Sequence, residues 1–482
     1  MQLRSGRRLV SPPPVPQGGA RRCRRRRCQG GDGDVDGEGE GRISGLPEEL
    51  RLEVLRRVGL RSARDAVRTG VLSRDWRGLW TGLRDLTFDG VDPGMVEGAL
   101  GQVRSEQLDR LEINFFGGRL AAARITSLLR AADRLDPAEL VVWLKKDSSD
   151  GGPFELPCFK RAISIELLVK TLQFTLPPSG NFASLEKLEL WSLTVNIGVL
   201  LPRCPLLRRL SVYYWHQLPR RVTIRSKSLE ELKLSFLYHN HDWPDVNIVA
   251  PELKKFKLHS SSSKEFSLWL SAPKVEEFYL EYTCQRSRVG FGEIWRLWSL
   301  KMETDCSKRD GHRSRVCVLS LTILGYHRHQ SATATRSFAQ EITRLPVSDF
   351  SILELELRTE GHVLGPLVLQ LLRIRTAIQQ LKVVLREIMV KDHLENCDCD
   401  EDGNWKNEQI SLPYLEVVEI QGFGVAGHEV DFIELLFRSA PMLKKMNIAL
   451  SRKVSSKKKR RRKLQSLFEA NASVECSVLR TT

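Results

Sequence analysis

Between Leu185 and Met302 the chain repeats one arrangement of apolar positions. The copies are Leu185-Glu-Lys-Leu188-Glu-Leu190, Leu207-Arg-Arg-Leu210-Ser-Val212, Leu229-Glu-Glu-Leu232-Lys-Leu234, Leu253-Lys-Lys-Phe256-Lys-Leu258, Val275-Glu-Glu-Phe278-Tyr-Leu280 and Leu297-Trp-Ser-Leu300-Lys-Met302. They follow one another at steps of 22, 22, 24, 22 and 22 residues. Within each copy the last apolar positions alternate with polar ones, which is the period of a strand buried on one side. So short a unit cannot bury its apolar side alone, so the pattern predicts a stack of like units around one shared core. Weaker copies at 108–113, 318–323, 352–357, 378–383, 415–420 and 443–448 extend that stack over most of 100–450. Prolines at 205, 251, 273 and 441 fall between copies, where return segments accept them.

A second period governs residues 42–82. Leu46, Leu50, Val54 and Val58 recur every four residues with Leu55 beside them, and Gly59 supplies a stop. Pro47 suits a first helical turn, while Glu48 and Glu49 sit at the positive end of the helix dipole. Ser62, three residues before Asp65, opens a second helical stretch, and Trp76 and Trp80 follow four apart. The segment reads as a cluster of short helices. At about 40 residues it is below the size at which a core usually stands alone, so it is expected to dock on something.

The residues in both regions carry family resemblances. Arg42-Ile43-Ser44-x-Leu46-Pro47-Glu48-Glu49-Leu50, followed by Ala66-Val67-Arg68-Thr69-x-Val71-Leu72-Ser73-Arg74-x-Trp76-Arg77-x-Leu79-Trp80, resembles the plant form of the F-box. Departures are Gly41 where an acid is usual and Asp75 where a base is common. The repeats resemble leucine-rich repeats, although the Asn or Cys of that family three residues beyond each strand is absent. Positions 193, 215, 237, 261, 283 and 305 are Leu, Trp, Leu, Ser, Thr and Asp, so turn bonding is expected to be irregular. A stretch over 385–450 resembles the FBD domain through Cys397-Asp-Cys399-Asp-Glu-x-x-Asn404-Trp405, Leu412-Pro-x-Leu415-Glu-x-Val418-Glu-Ile420-x-Gly422-Phe423, and His428-Glu-Val-Asp-Phe432 leading to Ala440-Pro-x-Leu443.

Together these resemblances imply an α/β chain: a small helical F-box module (42–82), then an irregular leucine-rich-repeat solenoid or horseshoe (100–450), with the FBD region in its last part. They imply a non-catalytic receptor subunit of an SCF ubiquitin ligase, bound to a Skp-type adaptor and cullin, that holds a protein target of unknown identity. Leu46, Pro47, Leu50, Val54, Leu55, Leu72 and Trp76 carry over as adaptor-contact or module-core residues. The physics is compatible, since a small helical unit with aliphatic and aromatic anchors makes a helix-in-groove interface.

Alternation assigns a role to the other side of each repeat strand. With Leu188 and Leu190 inward, Lys187, Glu189 and Trp191 face a surface expected to be concave, and the same register exposes Tyr213, Lys257, His259 and Tyr279. Aromatic and cationic residues commonly anchor protein partners, so Trp191, Tyr213, Lys257, His259 and Tyr279 are the candidate target-binding residues. An ordinary solvated strand face remains the alternative for each.

Charge looks at first like a nucleic-acid signal, at +16 over 482 residues. Its distribution argues otherwise: residues 1–41 hold nine arginines against five acids, and 451–482 hold ten basic residues against two glutamates. The remaining 42–450 carries 56 basic and 52 acidic residues and is close to balanced. The ends therefore read as disordered basic tails, an Arg-rich then acidic Gly-rich arm (1–41) and a basic carboxyl tail (451–482). The run Lys457, Lys458, Lys459, Arg460, Arg461, Arg462 and Lys463 permits nuclear import, with a merely solubilising tail as the alternative. Placement in the nucleus, the cytoplasm or both is expected. A rival reading is a nuclear scaffold whose tails touch nucleic acid without any ligase role.

No apolar run reaches the roughly 18 to 20 residues of a bilayer span, so no membrane partner is expected. Ten scattered cysteines do not make a disulfide framework. Asp398-x-Asp400-x-Asp402-Gly403 starts like a calcium loop, but Gln409 stands at the twelfth position, where a bidentate Glu belongs. His393, Cys397 and Cys399 lack a fourth zinc ligand, Cys23 and Cys28 have no partner pair, and His239, His241 and Asp242 suit a repeat loop. No metal, cofactor or catalytic residue is assigned, since no nucleophile motif or phosphate loop is present.

Overall fold

The computed structural model describes residues 45–59, 63–71, 74–118, 120–144, 152–169, 174–191, 197–214, 220–236, 245–262, 267–284, 289–292, 294–305, 308–309, 312–313, 316–326, 336–342, 350–386, 403–451 and 458–480. The chain divides into residues 1–46, of which only Gly45 and Leu46 are described, and residues 47–482. The arginine-rich arm, Cys23 and Cys28 lie outside the described residues, as do His239, His241, Asp242, His393, Cys397, Cys399 and the carboxylates of the calcium-like loop.

Within 47–482 one long sheet dominates. Its first nine strands run parallel in chain order: Asp85–Asp89, Arg110–Phe115, Glu139–Leu144, Ser164–Val169, Lys187–Trp191, Arg209–Tyr214, Glu231–Phe236, Lys255–Ser262 and Glu277–Cys284. Alternation is clearest in Lys187–Trp191, where Leu188 and Leu190 are buried and the residues flanking them partly exposed; Glu139–Leu144, Ser164–Val169, Arg209–Tyr214 and Glu231–Phe236 add consecutive buried residues on both sides. The sheet opens earlier than the repeats predict: Asp85–Asp89 lies in an unrecognised copy, Leu83-Arg-Asp-Leu86-Thr-Phe88, while Glu139–Leu144 and Ser164–Val169 lack the Leu-x-x-Leu-x-Leu spacing yet join the same sheet.

Main-chain bonds at the strand entrances form a regular ladder. Glu186 N donates to Ile163 O (2.9 Å), Arg208 N to Glu186 O (2.9 Å), Glu230 N to Arg208 O (2.8 Å) and Lys254 N to Glu230 O (2.8 Å). Further on, Glu416 N donates to Gln379 O and Lys444 N to Glu416 O, both at 2.8 Å. These bonds need no side chain. The irregular bonding expected from the missing Asn therefore does not extend to this side of the turns.

One repeat departs from the expectation. The copy at Leu297 to Met302 lies in an eleven-residue strand, Trp295–Asp305, that runs antiparallel to both Glu277–Cys284 and Val316–Gly325. A parallel return needs a crossover of a dozen or more residues, and only ten separate Cys284 from Trp295. The register slips between Leu297 and Ser299. Parallel stacking then resumes through Val316–Gly325, Ile352–Arg358, Gln380–Arg386, Val417–Phe423, Lys445–Leu450 and Glu475–Arg480.

The return segments follow their own periods. AARITSLLRAAD and GPLVLQLLRI have helical spacing and form Ala122–Asp133 and Gly365–Ile374. RVTIR, DVNIV and SLWLS alternate and form a second three-stranded parallel sheet, Arg221–Arg225, Asp245–Val249 and Ser267–Ser271. Where Gly365 lies, the Trp405 ring occupies the space a Cβ would need, so that helix is seated against a buried tryptophan.

Both ends of this unit differ from a plain repeat. At the start, helices Glu48–Gly59 and Ala63–Arg68 and short turns through Gly82 bury Leu55, Ala66, Trp76, Leu79 and Trp80 in one cluster with Leu83 and Leu86. At the other end, residues 458–480 are not a solvated tail: helix Lys458–Ala470 buries Leu464, and Glu475–Arg480 pairs with Lys445–Leu450. Leu464, Leu467 and Phe468 fall on one helical face, which the charge of the preceding run conceals in a composition count. Among the described residues no helix is long and apolar enough to cross a membrane.

Candidate interaction surfaces

Two surfaces gather the candidate residues. The first is the outer side of the helical cluster. Leu50 and Val54, one turn apart on Glu48–Gly59, are 52% and 38% exposed, and Val67 and Val71 are 48% and 88% exposed. Pro47 is exposed and Leu46 half-buried. Leu55 and Trp76 point the other way and are buried in the core, so they support this surface rather than line it. Leu72 lies outside the described residues. Val67 and Val71 extend the candidate set, and their spacing of four was visible in the sequence. Asp75 has a local partner, since its main-chain oxygen accepts from Arg51 Nη1 at 3.2 Å.

The second surface is the side of the main sheet opposite its core. Trp143, Leu168, Trp191 and Tyr213 are successive register partners on four adjacent strands. At roughly 4.8 Å between strands they make an apolar stripe about 15 Å long. Trp191 and Tyr213 stack face to face, with centroids 3.5 Å apart and planes 7° from parallel. Trp143 Nε1 donates to Glu166 Oε1 at 3.0 Å. Burial, and then the nearby carboxylate of Glu189, raise Glu166 above the usual carboxylate range. Trp143 and Leu168 escaped the sequence reading because their strands do not carry the repeat signature.

Farther along the same side the chemistry becomes polar. Lys233 Nζ stands 5.0 Å from the centre of the Tyr213 ring. Lys233 is the register partner of Lys257, and Lys257 of Tyr279. Tyr279 Oη donates to Glu281 Oε2 at 2.8 Å, and His259 Nδ1 lies 3.1 Å from the same oxygen. Burial and the bond to Glu281 push the Tyr279 hydroxyl well above its ordinary value. The five candidate target-binding residues thus fall into two groups: Trp191 with Tyr213, and Lys257 with His259 and Tyr279. Tyr213, expected to be exposed, is buried, at 8% exposure, because Trp191 stacks on its ring and Lys233 lies over it. Among the described residues no three His, Cys, Asp or Glu side chains converge as a metal site.

The basic run is partly built into the fold. Lys463 pairs with Asp431 (2.9 Å) and Glu434 (3.2 Å) on helix Gly427–Ser439. Arg461 is half-buried and Arg462 exposed, while Lys457 and the side chains of Lys458, Lys459 and Arg460 lie outside what is described. In the preceding turn Glu429 accepts from Ala426 N at 2.7 Å and Gly424 N at 3.3 Å, tying strand Val417–Phe423 to the helix that follows it.

Comparison with known proteins bears on these surfaces. Residues 412–448 match the family model for FBD. An FBD-associated F-box protein of Arabidopsis thaliana is 26% identical over 253 residues, covering 50% of this chain and 59% of the relative. An F-box/FBD/LRR-repeat protein from the same plant is 28% identical over 266 residues, 50% of this chain and 58% of the relative. A second FBD-associated F-box protein is 23% identical over 433 residues, 85% of this chain and 99% of the relative. The chain thus spans just under three fifths of the first two relatives. An FBD domain near the carboxyl end and several plant F-box/FBD relatives at modest identity agree with the resemblance carried by the motifs.

Proposed function

We propose that the chain is the substrate-recognition subunit of an SCF-type ubiquitin ligase, with 42–82 as its F-box, the repeats of 100–450 as its target-binding domain and the FBD region within their last part. The observation that carries this reading is the helical cluster: one side is buried against the first strand of the sheet, while Pro47, Leu50, Val54, Val67 and Val71 stand exposed on the other. Exposed aliphatic residues grouped on a small helical unit suit the groove of a Skp-type adaptor, through which a cullin would be recruited. The sheet face would hold the target, and joining both surfaces in one chain raises the effective concentration of target lysines near the ubiquitin donor. No residue performs bond chemistry in this scheme. We place its action in the nucleus or cytoplasm, with the Lys457 to Lys463 run as the import element.

Co-purification with the adaptor and cullin tests this reading. Wild-type protein should capture both, and Leu50→Asp with Val54→Asp should lose about 2 kcal/mol or more of adaptor affinity, the size of a hot-spot truncation. Both positions are exposed, so the thermal midpoint should stay near wild type. Failure of the well-folded wild-type chain to capture the adaptor would sink the proposal.

A further inference from the structure

Lysines on the strands of the main sheet are almost all paired. Lys187 lies 3.6 Å from Glu189, Lys255 3.0 Å from Glu277, Lys301 2.9 Å from Glu303, Lys382 3.3 Å from Glu354 and Lys445 3.7 Å from Glu475. Lys233 and Lys257 are the exceptions: among the described residues neither has a carboxylate within ion-pair distance. They sit directly opposite each other on adjacent strands, where like charges disfavour the sheet. Glu281, one strand beyond Lys257, is engaged by Tyr279 and His259. Two cations therefore stand side by side in the row next to the apolar stripe, two residues along the strands, with Lys233 over the Tyr213 ring that ends it.

Resting on the reading of this sheet face as the target-binding surface, we infer that it recognises an extended peptide segment of the target in which an Asp or Glu lies a few residues from an aromatic or aliphatic side chain. The carboxylate meets Lys233 and Lys257; the apolar side chain lies against Trp191 and Tyr213. Charge complementarity selects the acid, since the occupant supplies the anion that the fold withholds from these two lysines and from no other lysine of the sheet strands. Spacing selects the length. Tyr213 is one strand over and two residues along from Lys233, and Trp191 is three strands over and two residues along from Lys257, about 8 to 16 Å, or about two to five residues of extended chain.

The test uses the full chain and fluorescein-labelled ten-residue peptides with one Glu placed two, three or four residues from a Phe in a Gly/Ser background. Matched peptides carry Gln or phosphoserine in place of Glu. Anisotropy should show the Glu peptides binding more tightly than the Gln peptides, and less tightly as salt rises. Lys233→Gln with Lys257→Gln should weaken the Glu series about tenfold and leave the Gln series unchanged. Equal binding of Glu and Gln peptides, an unchanged double variant, or no binding up to about 1 mM peptide would overturn the inference. Phosphoserine binding tenfold or more above Glu would also overturn it, in favour of a phosphorylated partner. Adaptor capture by the same double variant separates the two readings. Capture without acidic preference removes this inference alone, and acidic preference without capture keeps the peptide site and removes the ligase role.

Discussion

The two parallel blocks of the sheet share direction and one continuous core side, yet their open sides differ. In the first block that side carries Trp143, Leu168, Trp191 and Tyr213 beside two uncompensated lysines. In the last block it satisfies itself: Glu354 receives Ser320 Oγ at 2.8 Å and Lys382 Nζ at 3.3 Å, Arg386 Nε lies 3.2 Å from Glu356, and Ser477 Oγ donates to Asn447 at 2.8 Å. No aromatic residue occupies positions 320, 322, 354, 356, 382, 384, 419, 421, 447 or 449. The core side of a strand is constrained by packing, which both blocks need equally. The open side is not so constrained, so under the proposed function a departure from internal pairing there is where a target would be held.

The comparison breaks most readily across a single strand. Leu190→Ala should cost about 2 to 5 kcal/mol in urea unfolding, since it empties a core position, whereas its exposed-side neighbour Trp191 replaced by alanine should cost clearly less. Equal losses would mean that Trp191 belongs to the core and not to a binding surface. A smaller effect separates contact from coincidence within the stripe: a double-mutant cycle with Trp191→Ala and Tyr213→Ala should give a coupling of about 0.5 to 1.5 kcal/mol from the stacked rings. Zero coupling would remove the stack as an ordered feature.

The smallest effect probes self-pairing near the carboxyl end. Burial alone would raise the Asp431 carboxyl, but hydrogen bonds from Lys463 and Lys406 outweigh it and hold the group below its ordinary value of 3.8. The pairing therefore contributes fully above that value and is lost as pH falls through the lower folded one. Asp431→Asn should reduce the stability difference between about pH 6 and about pH 3, read as a smaller shift in thermal midpoint. An unchanged shift would show that the terminal helix docks through Leu464 and Phe468 without help from Lys463.

Legibility in the sequence tracked how local each determinant is. Leu188, Leu190 and their counterparts announced strands because the period of two lies within five residues. The helical cluster was equally plain, from Leu50 and Val54 at one turn and the paired tryptophans. The strand holding Trp143 was not legible as a repeat, since ELVVWL carries valines where the signature asks for leucine spacing. The last helix was only half legible: LQSLFEA reads as amphipathic, but six basic residues before it outweigh Leu464, Leu467 and Phe468 in any compositional view and make the segment read as a tail. The sorting of Leu55 and Trp76 into the core, away from Leu50 and Val54, required knowing which side the first strand covers.

By itself the sequence determined the repeating strands, the helical start and the polarity of each strand's two sides, because alternation and helical spacing are properties of neighbouring residues. Only the tertiary structure decided which of those residues meet. Reversal of the strand at Trp295, stacking of Trp191 on Tyr213 and the isolation of Lys233 with Lys257 all depend on pairing between segments about 10 or more residues apart. Register across strands sets such neighbours, and a shift of one residue would have turned every one of these side chains to the opposite side of the sheet.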